Sequence, residues 1–256
     1  MSARTFRSLM SFCGLLVVAV PPTFLLAGEK SDDQTTKRIT HLIGMLASRN
    51  APPRIHGDPR KGDWVQIRFD KAYDTNLQVP VYLAMQELLA EEEAALDLLL
   101  KHGDDKRYCL SITHIENDEN KTVGEICTRI FWAKILPFQE ELHFITKDQW
   151  GVYPRSGKSD KEWWKGKKKH GLAKVQIEAI DAMLDFMKKA DVKKASPWHP
   201  EAKPVTPREF ERGRKKNIRL LKAIRETIVN TGKPYRPSTC NPWYDHIIGL
   251  PWKGRK

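Results

Sequence analysis

The sequence lacks the short motifs by which many catalytic and cofactor sites are identified. It contains no H-E-x-x-H, no pair of C-x-x-C motifs, no G-x-S-x-G nucleophile elbow and no glycine-rich phosphate loop. These absences argue against the zinc, nucleophile and phosphate sites that such motifs mark. We predict no cofactor and no metal site, although a site assembled from distant residues would leave no motif of this kind.

Cysteine is scarce, with four residues in a chain of 256. Cys13 lies in the first 27 residues, so removal of that segment would leave three thiols, and at least one would be free or paired between chains. Cys109 and Cys127 are the better candidates for a disulfide, which an oxidising compartment would permit. The alternative is that both are small buried hydrophobic residues, since free cysteine packs well in cores.

The N-terminal segment has the composition of an export signal. Arg4 and Arg7 precede an apolar run that extends to Ala27. We predict a signal peptide over residues 1–27 and an exported protein, located in the periplasm, the cell envelope or the extracellular space. Because Leu25 is bulky for a position just before the cut, an uncleaved anchor stays open, and a membrane would be a partner only in that case.

Charge is distributed unevenly along the chain, whose formal net charge is +12. Residues 28–150 contain 16 Lys and Arg against 21 Asp and Glu, whereas residues 151–256 contain 26 against 11. This asymmetry indicates either an anionic partner or an electrostatic contact between the two halves.

Apolar residues at helical spacing predict helices over 36–49, over two segments within 75–102 and over 122–136. Residues 172–190 are apolar on more than one face, which is typical of a central, buried helix. The alternating stretch 64–70 could form a short strand but is too little to build a sheet.

Two capping boxes mark the starts of further helices. Ser159 and Glu162 form an S-x-x-E box, and Thr206 and Glu209 form another with proline between them. The helix after Thr206 should end at Gly232. Its polar positions are crowded with lysine and arginine.

These elements predict a mainly α fold, an irregular and HEAT-like stack of helical hairpins with long loops and an irregular C-terminal tail. No fixed repeat period is found. Residues 28–195 would form the helical domain, and residues 196–256 a linker, the long basic helix and a Pro- and Trp-rich tail.

The segment KSDKEWWKGKKKHGLAKV, residues 158–175, sets two tryptophans against a run of lysines. Adjacent helical residues point about 100° apart, so we expect one indole to pack inward and the other to cover an edge. Basic and aromatic side chains together could bind an anionic polymer, or the tryptophans could fill the core while the charges provide solubility. The binding hypothesis involves Trp163, Trp164, Lys165, Lys167, Lys168, Arg214, Lys215 and Lys216.

A second hypothesis is a cell-envelope hydrolase with a site near His102, Asp104, Asp105 and His114, where polar residues follow a helix end. The simpler interpretation of this KHGDD segment is a helix C-cap followed by a turn.

Three segments, YLAMQELLAEEEAALDLLLKHGDDKRYCLS, VGEICTRIF and DKEWWKGKKKHGLAKVQIEAID, together resemble secreted proteins of planctomycete-type bacteria. Those proteins share an Asp-Asp-x-Arg-Tyr turn, matched here by Asp104 to Tyr108, a V-G-[DE]-[IV]-C helix and a Trp-Trp helix start. The resemblance covers residues 75–187. It implies a helical, HEAT-like domain and export, carries no activity, and would make Trp163 and Trp164 framework residues.

The function predicted from these features is that of an exported, non-enzymatic helical protein. Its partner would be a protein, or an anionic polysaccharide or lipid headgroup of the envelope. Export argues against nucleic acid.

Overall fold

The computed structural model describes residues 27–57, 65–113, 118–138, 142, 158–191, 206–236 and 247–251. The predicted signal peptide, apart from Ala27, lies outside these residues, as do His114 and Cys240. Within the described residues the chain is mainly helical with a small sheet, which confirms the mainly α prediction. No helix of this part of the chain is both long enough and apolar enough to cross a membrane.

Seven α-helices occur in the described residues. They are α1 (Ala27–Met45), α2 (Val79–Ala90), α3 (Ala94–Lys101), α4 (Val123–Ile135), α5 (Asp160–Lys167), α6 (Leu172–Lys189) and α7 (Pro207–Thr231). Short 3-10 turns at Thr75–Gln78 and Lys168–His170 lead into α2 and follow α5. The helix predicted over 36–49 ends earlier, at Met45.

Helix starts are fixed by local side-chain chemistry. The Ser159 hydroxyl accepts from the Glu162 amide at 3.3 Å, while the Glu162 carboxylate accepts from the Ser159 amide at 3.0 Å. Thr206 and Glu209 make the same reciprocal pair, with Pro207 as the first helical residue. Both predicted capping boxes are therefore confirmed. At the other end of α7, Gly232 adopts φ 65°, a left-handed conformation that glycine adopts without steric cost.

Five short strands occur in the described residues and form two antiparallel sheets. The strands are β1 (Arg54–His56), β2 (Gln66–Arg68), β3 (Tyr108–Thr113), β4 (Asp118–Thr122) and β5 (Ile247–Ile248). β1 pairs with β2, and β3 lies between β4 and β5. The two sheets meet where the Asp118 amide donates to the Val65 carbonyl at 3.0 Å. Neither β3 nor β4 was predicted from the sequence, and the prediction of an irregular tail is wrong at Ile247–Ile248, which completes the three-stranded sheet.

The described residues form two hydrophobic clusters. The first contains residues from the four helices α1, α2, α3 and α4, from the three-stranded sheet, from α5 and from the start of α6. The second joins α6, α7 and the residues Phe138 and Leu142 after α4. α6 contributes Leu172 and Val175 to the first cluster and its later apolar residues to the second, so its predicted central position is confirmed.

Candidate functional site

The two adjacent tryptophans of α5 are both buried, with 5% and 2% of their surfaces exposed. The expectation that one would only cover an edge is wrong. The Trp163 ring lies 5.2 Å from the Trp132 ring of α4, between ring centroids. The Trp164 indole nitrogen donates to the Asp97 carboxylate of α3 at 2.8 Å.

The position of α5 between α3 and α4 explains why both indoles find a buried environment. Side chains that point about 100° apart can each meet a different neighbouring helix. Phe131 of α4 packs edge-on against both indoles, with centroid distances of 6.3 Å to Trp163 and 5.9 Å to Trp164. Neither ring face is therefore available to stack on a ligand in this conformation.

Several lysines that follow the tryptophans are engaged by acids of the fold. Lys168 donates to Asp97 at 3.0 Å, and Lys167 donates to Glu178 of α6 at 2.6 Å. Lys165 and Lys169 are exposed and have no ion pair among the described residues. Part of the basic charge near α5 is thus neutralised inside the protein.

A shallow, open cavity of about 400 Å³ lies between the start of α3 and the end of α5. It is lined by Glu93, Ala94, Asp97, Trp164, Lys165, Lys168 and Lys169. The Glu93 carboxylate accepts from the Leu172 amide at 2.9 Å, so this wall already anchors α6. Acids and lysines are mixed along the lining, which gives an anion no uniformly positive surface.

Similar ion pairs join the acidic and basic halves of the chain elsewhere. Lys161 of α5 contacts Asp104 at 3.1 Å, and Arg236 contacts Glu92 at 2.9 Å. The contact between halves that the charge asymmetry suggested is therefore present.

All cations of α7 except Lys216 fall into two groups. Arg214 donates to Glu211 at 2.9 Å and to the Met187 carbonyl at 3.3 Å, and Arg225 donates to Asp181 of α6 at 2.7 Å. These bonds hold the cations of the first group against the fold. Arg214, one of the predicted binding residues, belongs to this group.

The second group forms a single row on the solvent side of α7, which we call the α7 row. It consists of Arg208, Arg212, Lys215, Arg219 and Lys222. All five residues are exposed, and within the described residues the sole ion pair recorded for them joins Lys215 to Glu211 at 3.9 Å. Lys216, another predicted binding residue, is exposed beside the row.

Helical spacing places the α7 row opposite the buried face of the helix. Residues four, seven, eleven and fourteen positions apart return to one side of an α-helix. The buried positions lie on the other side. They are Asn217 and four members of the second hydrophobic cluster, Phe210, Leu221, Ile224 and Ile228. The crowding of lysine and arginine on this helix was predicted from the sequence, but their arrangement in a row was not, although the spacing of its members is visible there.

The described residues of the hydrolase hypothesis form the C-cap of α3 and the turn that follows it. His102 is the C-cap of α3, and the Asp105 carboxylate is held by Arg107, with a shortest distance of 2.6 Å. The Arg107 guanidinium lowers the pKa of Asp105. Asp104 faces solvent and Lys161. Within the described ranges, no three His, Cys, Asp or Glu side chains lie together as a metal-ligand set.

Cys109 of β3 and Cys127 of α4 lie in the first hydrophobic cluster as free, buried thiols. Burial raises the pKa of Cys127 to about 12 and that of Cys109 well above its ordinary value. Both thiols therefore stay protonated at neutral pH, as unreactive core residues. A disulfide between them stays a prediction.

A series of hydrogen-bonded polar side chains lies beside β3. It was not predicted from the sequence, because the strands that carry these side chains were not predicted. The Tyr108 hydroxyl lies 2.8 Å from the Ser111 hydroxyl, which donates to Asn120 of β4 at 2.7 Å. Burial raises the pKa of Tyr108, so its hydroxyl stays neutral. These bonds satisfy polar atoms that the sheet would otherwise bury.

The fold and these surfaces define a mainly helical protein with a row of exposed cations on its last described helix. Comparison of the chain with protein-family models, with curated proteins and with solved structures finds no match.

Proposed function

We propose that the protein is an exported, non-enzymatic helical protein that binds an anionic component of the cell envelope. The observation that carries this proposal is the α7 row, whose five cations are exposed on one helix face. A folded protein gains little stability from unpaired surface cations of one sign, because they repel each other. An external anion would relieve that repulsion and form charge-assisted hydrogen bonds with the arginines.

The ion pairs inside the fold support the choice of surface. Three lysines near α5 pair with Asp104, Glu178 and Asp97, whereas four of the five cations of the row have no ion pair among the described residues. The buried indoles fit the framework role that the resemblance to planctomycete-type secreted proteins implies. Export and a HEAT-like stacking of the helices belong to the same proposal.

Retention on immobilised heparin tests the function. We expect the purified chain to remain bound near physiological ionic strength, about 0.15 M salt, because several simultaneous charge contacts resist modest screening. A sulfopropyl resin of equal charge density is the control for simple cation exchange, and elution from it should require less salt. Elution from heparin at very low salt, without binding to phosphatidylglycerol vesicles, would contradict the proposed function.

A further inference from the structure

The α7 row is long and narrow, as a binding surface for one extended polymer chain would be. An α-helix rises about 1.5 Å per residue, so the fourteen-residue interval from Arg208 to Lys222 spans about 21 Å. Its members succeed each other at alternating steps of four and three residues along one side of the helix. The cations therefore follow a line and do not spread into a patch.

Acidic side chains border this line. Glu209 lies to one side of the row and Glu211 to the other. The helical spacing places Glu226 on the same side of the helix as the row, just beyond Lys222. A flat anionic surface laid on α7 would meet these carboxylates together with the cations. A narrow chain that follows the row meets the cations first, so the arrangement favours a narrow occupant.

The composition of α7 also distinguishes among narrow anions. Phe210, the one aromatic residue of α7, is buried, so the row offers no ring on which nucleic-acid bases could stack. The apolar face of α7 is buried in the second cluster, and Val229 is the one large apolar side chain that the helix exposes. This is too little apolar surface for insertion into a bilayer interface.

We propose that the α7 row binds a linear anionic polysaccharide, whose sulfate or carboxylate groups pair with Arg208, Arg212, Lys215, Arg219 and Lys222. This inference rests on the proposed function and specifies its ligand and surface. The three arginines suit such groups, because a guanidinium donates two parallel hydrogen bonds to a planar oxyanion.

The test compares two triple variants of equal charge. The first, Arg212→Gln, Lys215→Gln and Arg219→Gln, removes the middle of the row. The matched control, Lys165→Gln, Lys169→Gln and Lys174→Gln, removes three exposed lysines from α5, the following turn and α6. Circular dichroism and thermal unfolding should show both variants folded, since all six positions are exposed.

Binding is measured with heparin as the sulfated probe and polygalacturonate as the carboxylated probe, over a range of salt concentrations. Each surface charge contact contributes modestly to affinity, so the row variant, which loses three, should bind about tenfold more weakly than the wild type. The slope of log affinity against log salt should fall by about two to three, because fewer counterions are released. The control should stay within about threefold of the wild type.

The outcomes separate the two proposals. If the wild type binds neither polymer but binds phosphatidylglycerol vesicles, the polysaccharide assignment fails and the proposed function stands. If it binds neither polymer and no vesicles, the proposed function fails. If the wild type binds and the control loses as much affinity as the row variant, the function stands and the α7 row is not the site. Phosphatidylglycerol vesicles and single-stranded DNA serve as competing probes, and tighter, row-dependent binding of either would overturn the polysaccharide assignment.

Discussion

Gly124, in the first turn of α4, lies against the backbone of the turn that follows α3. Its amide donates to the Asp105 carbonyl at 2.9 Å. A methyl group at this position would lie 2.7 Å from the Gly103 carbonyl carbon and 2.9 Å from the Asp105 nitrogen, closer than side-chain atoms approach backbone. The absence of a side chain therefore allows α3, the turn and α4 to pack closely.

We expect Gly124→Ala to lower the free energy of unfolding by roughly 1–3 kcal/mol, because the clash falls on backbone that must move. Gly166→Ala is the matched control, since nothing lies within 4 Å of its added methyl group. That change should raise stability by about 0.5–1 kcal/mol through helix propensity. Urea unfolding of both variants is the measurement, and equal effects would mean that α4 does not pack on this turn.

At the scale of the element, α5 is held mainly by its two indoles. It has eight residues, too few for stability as an isolated helix, so its attachment must come from tertiary contacts. Trp163 contacts Trp132 of α4, and Trp164 bonds to Asp97 of α3. The lysines on the same helix contribute solvent-exposed pairs, which stabilise little.

Trp163→Ala should therefore cost about 3–5 kcal/mol of stability, whereas Lys165→Ala on the exposed side of α5 should change it by less than about 0.5 kcal/mol. Thermal unfolding monitored by circular dichroism gives both values. Heparin affinity of the Trp163 variant, measured below its unfolding temperature, should equal that of the wild type. A folded variant with normal stability and weakened binding would instead identify Trp163 as a ligand contact.

The starts of α5 and α7 and the end of α7 were predictable from the sequence because their signals are local, whereas the bounds of α1 were not. The capping boxes at Ser159 and Thr206 and the glycine after α7 each act within a few residues. The burial of Trp164 was not predictable, because the acid that receives its indole hydrogen bond lies 67 positions earlier in the chain. Side-chain burial of this kind depends on which helices meet, and periodicity does not specify that.

The strands were missed for a related reason. β4 has the sequence DENKT, in which all residues but the final threonine have low strand propensity, and it forms because β3 offers an edge to pair with. β5 is two residues long and pairs with a strand more than a hundred positions away. The α7 row, by contrast, could be predicted from the spacing of its residues in the sequence alone. The structure was needed only to show that Arg214 and Arg225 are bonded to the fold and do not belong to the row.

At the scale of the whole molecule, α6 connects the two hydrophobic clusters. Gln176, in the second turn of α6, donates to the Lys134 carbonyl at 2.7 Å and accepts from the Tyr235 amide at 2.8 Å. The chain after α7 then returns to the first cluster, where Ile247 and Leu250 are buried. The basic C-terminal half is thus joined to the acidic half by packing as well as by ion pairs.

This return of the tail can be tested on the two faces of β5. Ile247 is 2% exposed, whereas its neighbour Ile248 is only partly buried, since successive strand residues point to opposite faces. Ile247→Asp places a carboxylate in the first cluster without a partner and should cost at least about 3 kcal/mol. Ile248→Asp introduces the same charge in the same strand and should cost clearly less.

Hydrogen exchange locates the effect. β5 pairs with β3 at Ser111 and Ile112, so Ile247→Asp should accelerate amide exchange in β3, far along the chain from the substitution, while the interior of α7 exchanges at the wild-type rate until global unfolding. Equal destabilisation by the two aspartates, or unchanged exchange in β3, would show that the C-terminal residues do not complete the sheet. The α7 row would then be joined to the rest of the protein through α6, the residues after α4 and the Arg236–Glu92 ion pair, without the sheet.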